Sequence, residues 1–393
     1  MKPLLSIIIA TKNRGIYCIE AIKSILAIES DELQLAIADN SDSESIKDFV
    51  ATLCDNRLIY KYDNSPISSI ENFNRCMSLA DGEYVCMIGD DDTILPEIIQ
   101  AVKWAKKNNI DSLNSSNYIH YYWPHAIENA LDGLMLIPSF TPSLKKIDTS
   151  KELTKLIENG IVNYSFYPLP KTYHGIVKRD IMMKIKLKTG HFYGGLSPDI
   201  YSVITTSCFA KNHYSTTIPL TIAGVCANST TADNFSGRHC GELKDIPHLR
   251  NRGNYIWNRQ IPEYYSVSTI WSESGLKALL ELNELDLYRK FSVYPLLAQS
   301  ILMNRKYILK LMIKKINLIQ KENVFLFWTK ILVKVLILIL EKVDRVIKQK
   351  TLQRITRYEN VTNIQQAISI VKEVEFYKKD FEKIFNLNNY ESS

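Results

Sequence analysis

Three adjacent carboxylates, Asp90-Asp91-Asp92, follow a short apolar run at residues 84–88. Side by side at the end of a buried strand they repel one another, and the arrangement is costly unless a cation or several donors neutralise it. Carboxylate oxygens are hard ligands suited to Mg2+ or Mn2+, ions that also bind phosphate oxygens. A metal held there would stabilise negative charge on a departing diphosphate. The competing reading is an acidic turn capping the helix that starts at Pro96.

Two further polar clusters share this setting. Thr11, Asn13 and Arg14 follow an apolar run at residues 4–10, and Asp39 closes another at 33–38. The first group supplies donors for a base and a diphosphate, although Asn13 also reads as a helix cap. Asp39 has a carboxylate for the edge of a uracil or guanine ring or for a ribose hydroxyl. Asp39-Asn40-Ser41-Asp42 is equally ordinary turn chemistry.

The elements that must hold these residues alternate. Apolar runs at 4–10, 33–38, 57–62 and 84–88 predict strands. Ile16, Ile19, Ile22 and Leu26 recur at helical spacing, and 72–79 and 96–107 also read as helices. This order predicts an α/β, doubly wound, mostly parallel sheet with helices on both faces. Ligands of such sheets bind beyond the carboxyl ends of the strands, where all three clusters fall. Residues 111–262 are less regular. Thr149-Ser150-Lys151-Glu152 has the form of a capping box, closed by Gly160. From about residue 267 the chain reads as helical.

The 393 residues are 46% hydrophobic and 23% charged, which excludes a disordered or collagen-like chain. Seven cysteines, an odd number with no C-x-x-C pair, imply reduced thiols in a cytosolic protein rather than a disulfide framework. The first apolar run is short and lacks a cleavage site, so it reads as a strand and not as a signal peptide. The net charge is +6, yet residues 301–350 hold 12 Lys and Arg against 3 Asp and Glu. The basic excess is thus confined to one region, and nucleic acid is not implied as a partner.

Taken in order, Ser6-Ile7-Ile8-Ile9-Ala10-Thr11-Lys12-Asn13-Arg14, Ala38-Asp39-Asn40-Ser41, Asn72, Ala80-Asp81-Gly82-Glu83-Tyr84-Val85 and Gly89-Asp90-Asp91-Asp92 resemble a family 2 glycosyltransferase of the GT-A fold. The resemblance covers about the first quarter of the chain. It implies a nucleotide-diphosphate sugar as donor, a divalent metal (Mn2+ or Mg2+), and inversion at the anomeric carbon. Carried over by position, Asp39 contacts the nucleobase and Asn72 belongs to the donor site. Asp92 is the direct metal ligand, and Asp90 sits near the ribose or the metal, with Asp91 sharing either role. The second-strand turn departs from the commoner Asp-Asp-Gly-Ser form, having Asn40 and Ser41 and no glycine.

Inverting transfer needs a carboxylate to take the acceptor proton. The family supplies an Asp roughly a hundred residues after the metal motif, and Gly194-Gly195-Leu196-Ser197-Pro198-Asp199 fits that place. Asp199 is therefore the expected base. Its plainer reading is a helix cap, and Asp180 is a weaker rival. His174 lies where an acceptor-side strand is expected. His239 is a candidate for the diphosphate or the metal shell, Arg238 for phosphate, and Ser229-Thr230-Thr231 for the donor wall.

Residues 324–340 are almost wholly apolar but too short of uncharged length to span a bilayer. Lys330, Lys334, Glu341, Arg345 and Lys348 fall on one narrow polar stripe of a helix beside a broad apolar face. This pattern fits a helix lying in the plane of an anionic membrane surface, or one buried against the catalytic domain. The expected organisation is a GT-A domain over 1–265, with a nucleotide-sugar half (1–110) and an acceptor half (111–265). A helical basic region follows over 266–393. The expected activity is metal-assisted sugar transfer to a glycan or lipid-linked acceptor, in the cytoplasm or on the cytoplasmic face of the membrane, as in bacterial surface-polysaccharide assembly. The rivals are a nucleotidyltransferase and a non-catalytic membrane-associated scaffold. The single glycine near Thr11-Lys12-Asn13-Arg14-Gly15 argues against the nucleotidyltransferase.

Overall fold

The structure is a computed structural model that describes residues 2–229, 239–314, 324–351 and 355–386. Its first part alternates as the apolar runs require: β1 (Leu5–Thr11), α1 (Gly15–Leu26), β2 (Leu33–Asp39), α2 (Ser45–Ala51), β3 (Leu58–Tyr62), α3 (Ser69–Ser78) and β4 (Tyr84–Ile88). β2 and β4 are buried at every position, because helices cover both faces of the sheet. α3 starts with a capping box between Ser68 and Glu71, a few residues before the expected start at Asn72. A short β5 (Thr93–Ile94) precedes α4 (Ile98–Lys107), so the helix begins after Pro96 rather than on it.

The remaining strands are β6 (Ser112–Ser115), β7 (Ile119–Tyr122), β8 (Leu134–Pro138), β9 (Leu144–Ile147), β10 (Gly175–Lys178), β11 (His213–Thr216), β12 (Thr221–Val225), β13 (Cys240–Glu242), β14 (Tyr264–Ser266) and β15 (Ile355–Glu359). The main sheet has the order β3-β2-β1-β4-β10-β6-β11-β9, parallel from β3 to β4 and interrupted by the antiparallel β10. This is the mostly parallel sheet that the order of the apolar runs predicts. Its register fixes the rim. Thr11 is level with Asp39, and Ile9 is level with Ile88, so Asp90 emerges beside Thr11.

The later helices are α5 (Thr149–Glu158), α6 (Arg179–Thr189), α7 (Pro198–Phe209), α8 (Val267–Leu282), α9 (Leu285–Arg289), α10 (Val293–Lys314), α11 (Val324–Thr351), α12 (Ile364–Glu373) and α13 (Glu375–Phe385). α5 is capped by Asp148, whose side chain accepts from the Lys151 amide, and not by the Thr149 box. α5, α7 and α8 share a second core built on Leu156, Ile200, Ile204, Leu276 and Leu279. The region after 265 is not wholly helical. β15 pairs with β8, and Val361, Ile364, Tyr377, Phe381 and Phe385 enter the same core as β1 and α4. The Tyr377 hydroxyl donates to the Pro219 carbonyl at 2.9 Å, tying that return down.

Candidate functional site

The acidic triplet leaves β4 into a ring of protein donors. Asp90 accepts from the Thr11 hydroxyl at 2.7 Å and from Arg14 Nη1 at 2.9 Å. The same Arg14 nitrogen lies 3.7 Å from Asp91, and Arg14 Nη2 donates to the Asn228 carbonyl. Asp91 accepts from the Cys226 amide at 3.0 Å, and its own carbonyl accepts from Trp123 Nε1. Asp92 accepts from the Gly89 amide at 2.6 Å, the Gly224 amide at 2.7 Å and the Tyr173 hydroxyl at 3.2 Å. His174 Nε2 sits 3.0 Å from the same carboxylate.

The topology explains these partners. β12 runs antiparallel to β5 and so lays Gly224 and Cys226 against the triplet. A Cβ on Gly224 would fall 1.7 Å from the Asp91 carbonyl oxygen, so only glycine allows this approach. The His174 amide donates to the Met87 carbonyl just ahead of β10, which sets Tyr173 and His174 beside β4. Burial raises the Asp90 carboxyl, against the pull of Arg14 and Thr11. Burial, with Asp92 and Asp90 alongside, pushes Asp91 up to about 7 against the pull of Arg14. Burial acts on Asp92 in the same direction, but His174 and the two backbone amides outweigh it and hold this carboxyl below its usual range.

This donor set does not fit a divalent ion as it stands. Arg14 supplies positive charge, and Thr11, Tyr173 and the Gly89, Gly224 and Cys226 amides supply donors, where the sequence invoked a metal. Among the described residues no three His, Cys, Asp or Glu side chains converge on one point. Asp90 and Asp92 would have to exchange protein partners to ligate a cation.

Asn13 and Asp39 also differ from expectation. Asn13 does not cap α1. Its backbone is left-handed (φ 58°), and its side chain bonds Asp42 while its amide donates to Ser41. Asp39 is wholly buried and closes a turn, accepting from the Ser41 amide and from the Tyr60 hydroxyl, both at 2.8 Å. Its oxygens face protein donors and offer a nucleobase no exposed edge in this arrangement. Asn72 lies between the ends of β1 and β2, where Nδ2 donates to the Thr11 and Ala38 carbonyls, both at 3.1 Å. Its buried Oδ1 has no partner among the described residues.

Next to Asn72 opens a cleft of about 280 Å³, lined by Thr11, Lys12, Asn72, Phe73, His248 and Arg250 among others. The far wall comes from the turn Pro247–Leu249, which nothing in the sequence pattern singled out. His239 packs edge-on against His248 and Tyr265, behind that wall. Arg238, Thr230 and Thr231 lie outside the described residues.

Asp199 stands in the first turn of α7, half-buried. Its electrostatic neighbours are Tyr164, His174 and Lys171. Burial raises this carboxyl to about 6, with His174 and Lys171 pulling the other way. Lys171 is itself buried and donates to the Tyr118 hydroxyl while its ammonium lies 5.1 Å from the Tyr118 ring centre. Asp180, the rival, is an exposed first-turn residue of α6. Sequence reasoning missed Tyr164, Tyr173, Lys171 and Gly224. Only Gly224, a glycine inside a strand, carried a readable sign of close backbone approach.

Among known proteins, the chain is 33% identical over 96 residues to WcaA of Escherichia coli, named as a candidate colanic acid biosynthesis glycosyl transferase; this covers 24% of the chain and 34% of WcaA. It is 33% identical over 99 residues to the GalNAc(5)-diNAcBac-PP-undecaprenol beta-1,3-glucosyltransferase of Campylobacter jejuni, covering 24% of the chain and 31% of that enzyme. The chain thus spans about a third of the length of the curated relatives it matches. A crystal structure of S. aureus TarS in complex with UDP-GlcNAc is similar at 12% identity and a TM-score of 0.46, over 77% of this chain and 74% of that one. Residues 6–146, which run from β1 into β9 and include the acidic triplet, match the family described as glycosyl transferase family 2.

Proposed function

We propose that the protein transfers a sugar from a nucleotide-diphosphate donor to an acceptor hydroxyl, with inversion at the anomeric carbon and Asp199 as the base. The observation that carries this reading is His174. It contacts Asp92 of the strand-end triplet and also acts electrostatically on Asp199, so the family motif and a protonatable carboxylate share one neighbour. The cleft beside Asn72 suits the nucleoside, with the free Asn72 Oδ1 as an acceptor for it. Lys12 and Arg250 on its walls supply positive charge for the diphosphate.

In the reaction the acceptor oxygen attacks the anomeric carbon as its proton passes to Asp199. The bond from that carbon to the diphosphate breaks, and its electron pair leaves with the nucleoside diphosphate. A carboxyl near 6 is mostly ionised at neutral pH and still basic enough to take the proton. Names of relatives that act on undecaprenol-linked or colanic acid glycans favour a lipid-linked or growing glycan as acceptor.

The test is binding and hydrolysis across a panel of nucleotide sugars, with Mn2+, with Mg2+ and with chelator, in wild type and Asp199→Asn. One nucleotide sugar bound by both, and turned over by wild type alone, supports the reading. Absence of nucleotide-sugar binding in folded protein refutes it and favours a scaffold. Binding that collapses with chelator shows that Asp90 and Asp92 exchange their protein partners for a metal.

A further inference from the structure

α7, whose first turn carries Asp199, follows a tight segment at residues 190–197. Its N-cap, Ser197, makes no side-chain cap bond, so the start of the helix is not held by its own cap. It is held by α8. The Leu196 and Ser197 amides both donate to Ser274 Oγ, at 2.9 and 3.0 Å. Gly195, left-handed at φ 60°, lies so close to α8 that a Cβ there would fall 2.8 Å from Ser274 Cα.

Glu281 stands on the same face of α8, seven residues beyond Ser274. Its Oε2 accepts from the Tyr201 hydroxyl at 2.6 Å and lies 3.0 Å from His191 Nε2. The same His191 nitrogen is 3.0 Å from the Tyr201 hydroxyl, and Lys277 Nζ is 3.7 Å from Glu281 Oε1. His191 opens the 190–197 segment, and Tyr201 is buried in α7 just beyond its end. One carboxylate thus ties the two together. A Cβ on Gly194 would meet His191 Nε2 and Tyr201 Cε2 at 2.6 Å and Glu281 Oε2 at 2.9 Å, so only glycine lets the backbone cross this cluster. Burial opposes the Glu281 ion, but His191 and Tyr201 hold its carboxyl below the usual range. Burial and that carboxylate push the Tyr201 phenol up, so it stays a donor.

Glu281 and His191 do not line the cleft beside Asn72. Apolar side chains would hold α7 on α8 at least as firmly as a buried polar cluster. What the polar bonds add is direction. Tyr201 follows Asp199 by two residues, so the two side chains leave α7 about 200° apart. Fixing the Tyr201 hydroxyl on α8 therefore turns the Asp199 face of α7 away from α8. We propose that Glu281 is a positioning residue, which through Tyr201 and His191 sets the rotation of α7 and so places Asp199 for proton transfer. The proposal rests on Asp199 being the base.

The experiment is a double-mutant cycle in the full chain, Glu281→Ala with Asp199→Asn, and Glu281→Gln as the conservative variant. The assay follows nucleoside diphosphate released from a panel of UDP-, GDP- and dTDP-linked hexoses. Calorimetry on the hydrolysed nucleotide sugar gives affinity and binding stoichiometry, and circular dichroism melts show that each variant is folded. Glu281→Ala should lower kcat about 10- to 100-fold with affinity and stoichiometry unchanged. In the Asp199→Asn background the same change should lower kcat less than about threefold, because a residue that acts through Asp199 has nothing left to position. Glu281→Gln, which keeps an oxygen for the Tyr201 hydroxyl, should bring kcat back to within about fivefold of wild type. Tyr201→Phe, which removes only the hydroxyl, should show the same non-additivity and takes the place of Glu281→Ala if that variant does not fold. An equal loss in both backgrounds, as a merely structural contact gives, overturns the proposal. So does Glu281→Ala with wild-type kcat. Wild type that hydrolyses none of the panel, or Asp199→Asn as fast as wild type, refutes the transferase reading itself and the proposal with it.

Discussion

Replacing Arg14 by methionine keeps most of the side-chain stem and removes the charge that Asp90 and Asp91 share. Arg14 Nη1 lies 2.9 Å from one carboxylate and 3.7 Å from the other, and both carboxylates are only 6% exposed. Breaking a buried ion pair from one side costs about 3–5 kcal/mol. The Arg14 side chain is 23% exposed, so water screens part of the interaction, and about 2–3 kcal/mol is the expected loss. The loss should also depend on pH. Without Arg14 the two carboxyls rise further above their unfolded values, so the folded state holds more protons than the unfolded chain. Stability then falls as pH rises through the folded pKa values. In wild type Asp91 already sits at about 7, so the deficit of Arg14→Met should be largest at pH 8 and shrink toward pH 5.5. Urea unfolding of both proteins at the two pH values measures this. A deficit below about 0.5 kcal/mol at pH 8, the range of an ordinary surface change, would refute the view that Arg14 neutralises the triplet.

Asp199→Asn should lower kcat by about 100- to 10,000-fold with nucleotide-sugar affinity unchanged, read by steady-state assay and calorimetry. The wild-type rate should rise with pH through about 6 and then level off, because the base works only when ionised; the variant's residual rate should lack that inflection. Gly224→Ala forces a Cβ against the Asp91 carbonyl and displaces the amide that Asp92 accepts from, for an expected loss of about 1–3 kcal/mol in denaturant unfolding. Asn72→Ala removes both side-chain bonds to the carbonyls at the ends of β1 and β2, and nucleotide affinity should fall on the order of tenfold by calorimetry.

The strands were legible in the sequence for a physical reason. β1, β2 and β4 are covered on both faces, so their side chains form nearly continuous apolar runs, broken only by Ser6 and Gln34, whose ends mark the rim. The donors that satisfy the triplet were not legible as a group. His174 reaches Asp92 only because β10 inserts antiparallel beside β4, and Gly224 only because β12 pairs with β5. Neither pairing leaves a mark near residue 90. Asn13 was misread because Ser41 and Asp42 compete for it from the next strand end, a contact invisible to a rule about local caps. The stripe on α11 could be read from spacing. Which part of the apolar face is covered depends on α10 and could not. The return of α12 and α13 to the first core was hidden too, since an amphipathic helix does not record which core it joins.

The contrasting states of the acids argue for where the chemistry lies. Asp92 has two backbone amides, a tyrosine hydroxyl and His174, all favouring the ion, and its carboxyl is held down despite burial. Asp91 titrates near neutrality, but it is buried and bound to the Cys226 amide. Asp199 combines a carboxyl near 6 with a half-buried position, so a substrate hydroxyl can reach a group able to accept its proton. Groups whose surroundings drive their protonation apart divide the labour of a site. On that reasoning Asp92 is a fixed negative charge beside His174, and in the proposed transfer Asp199 is the group that takes the proton.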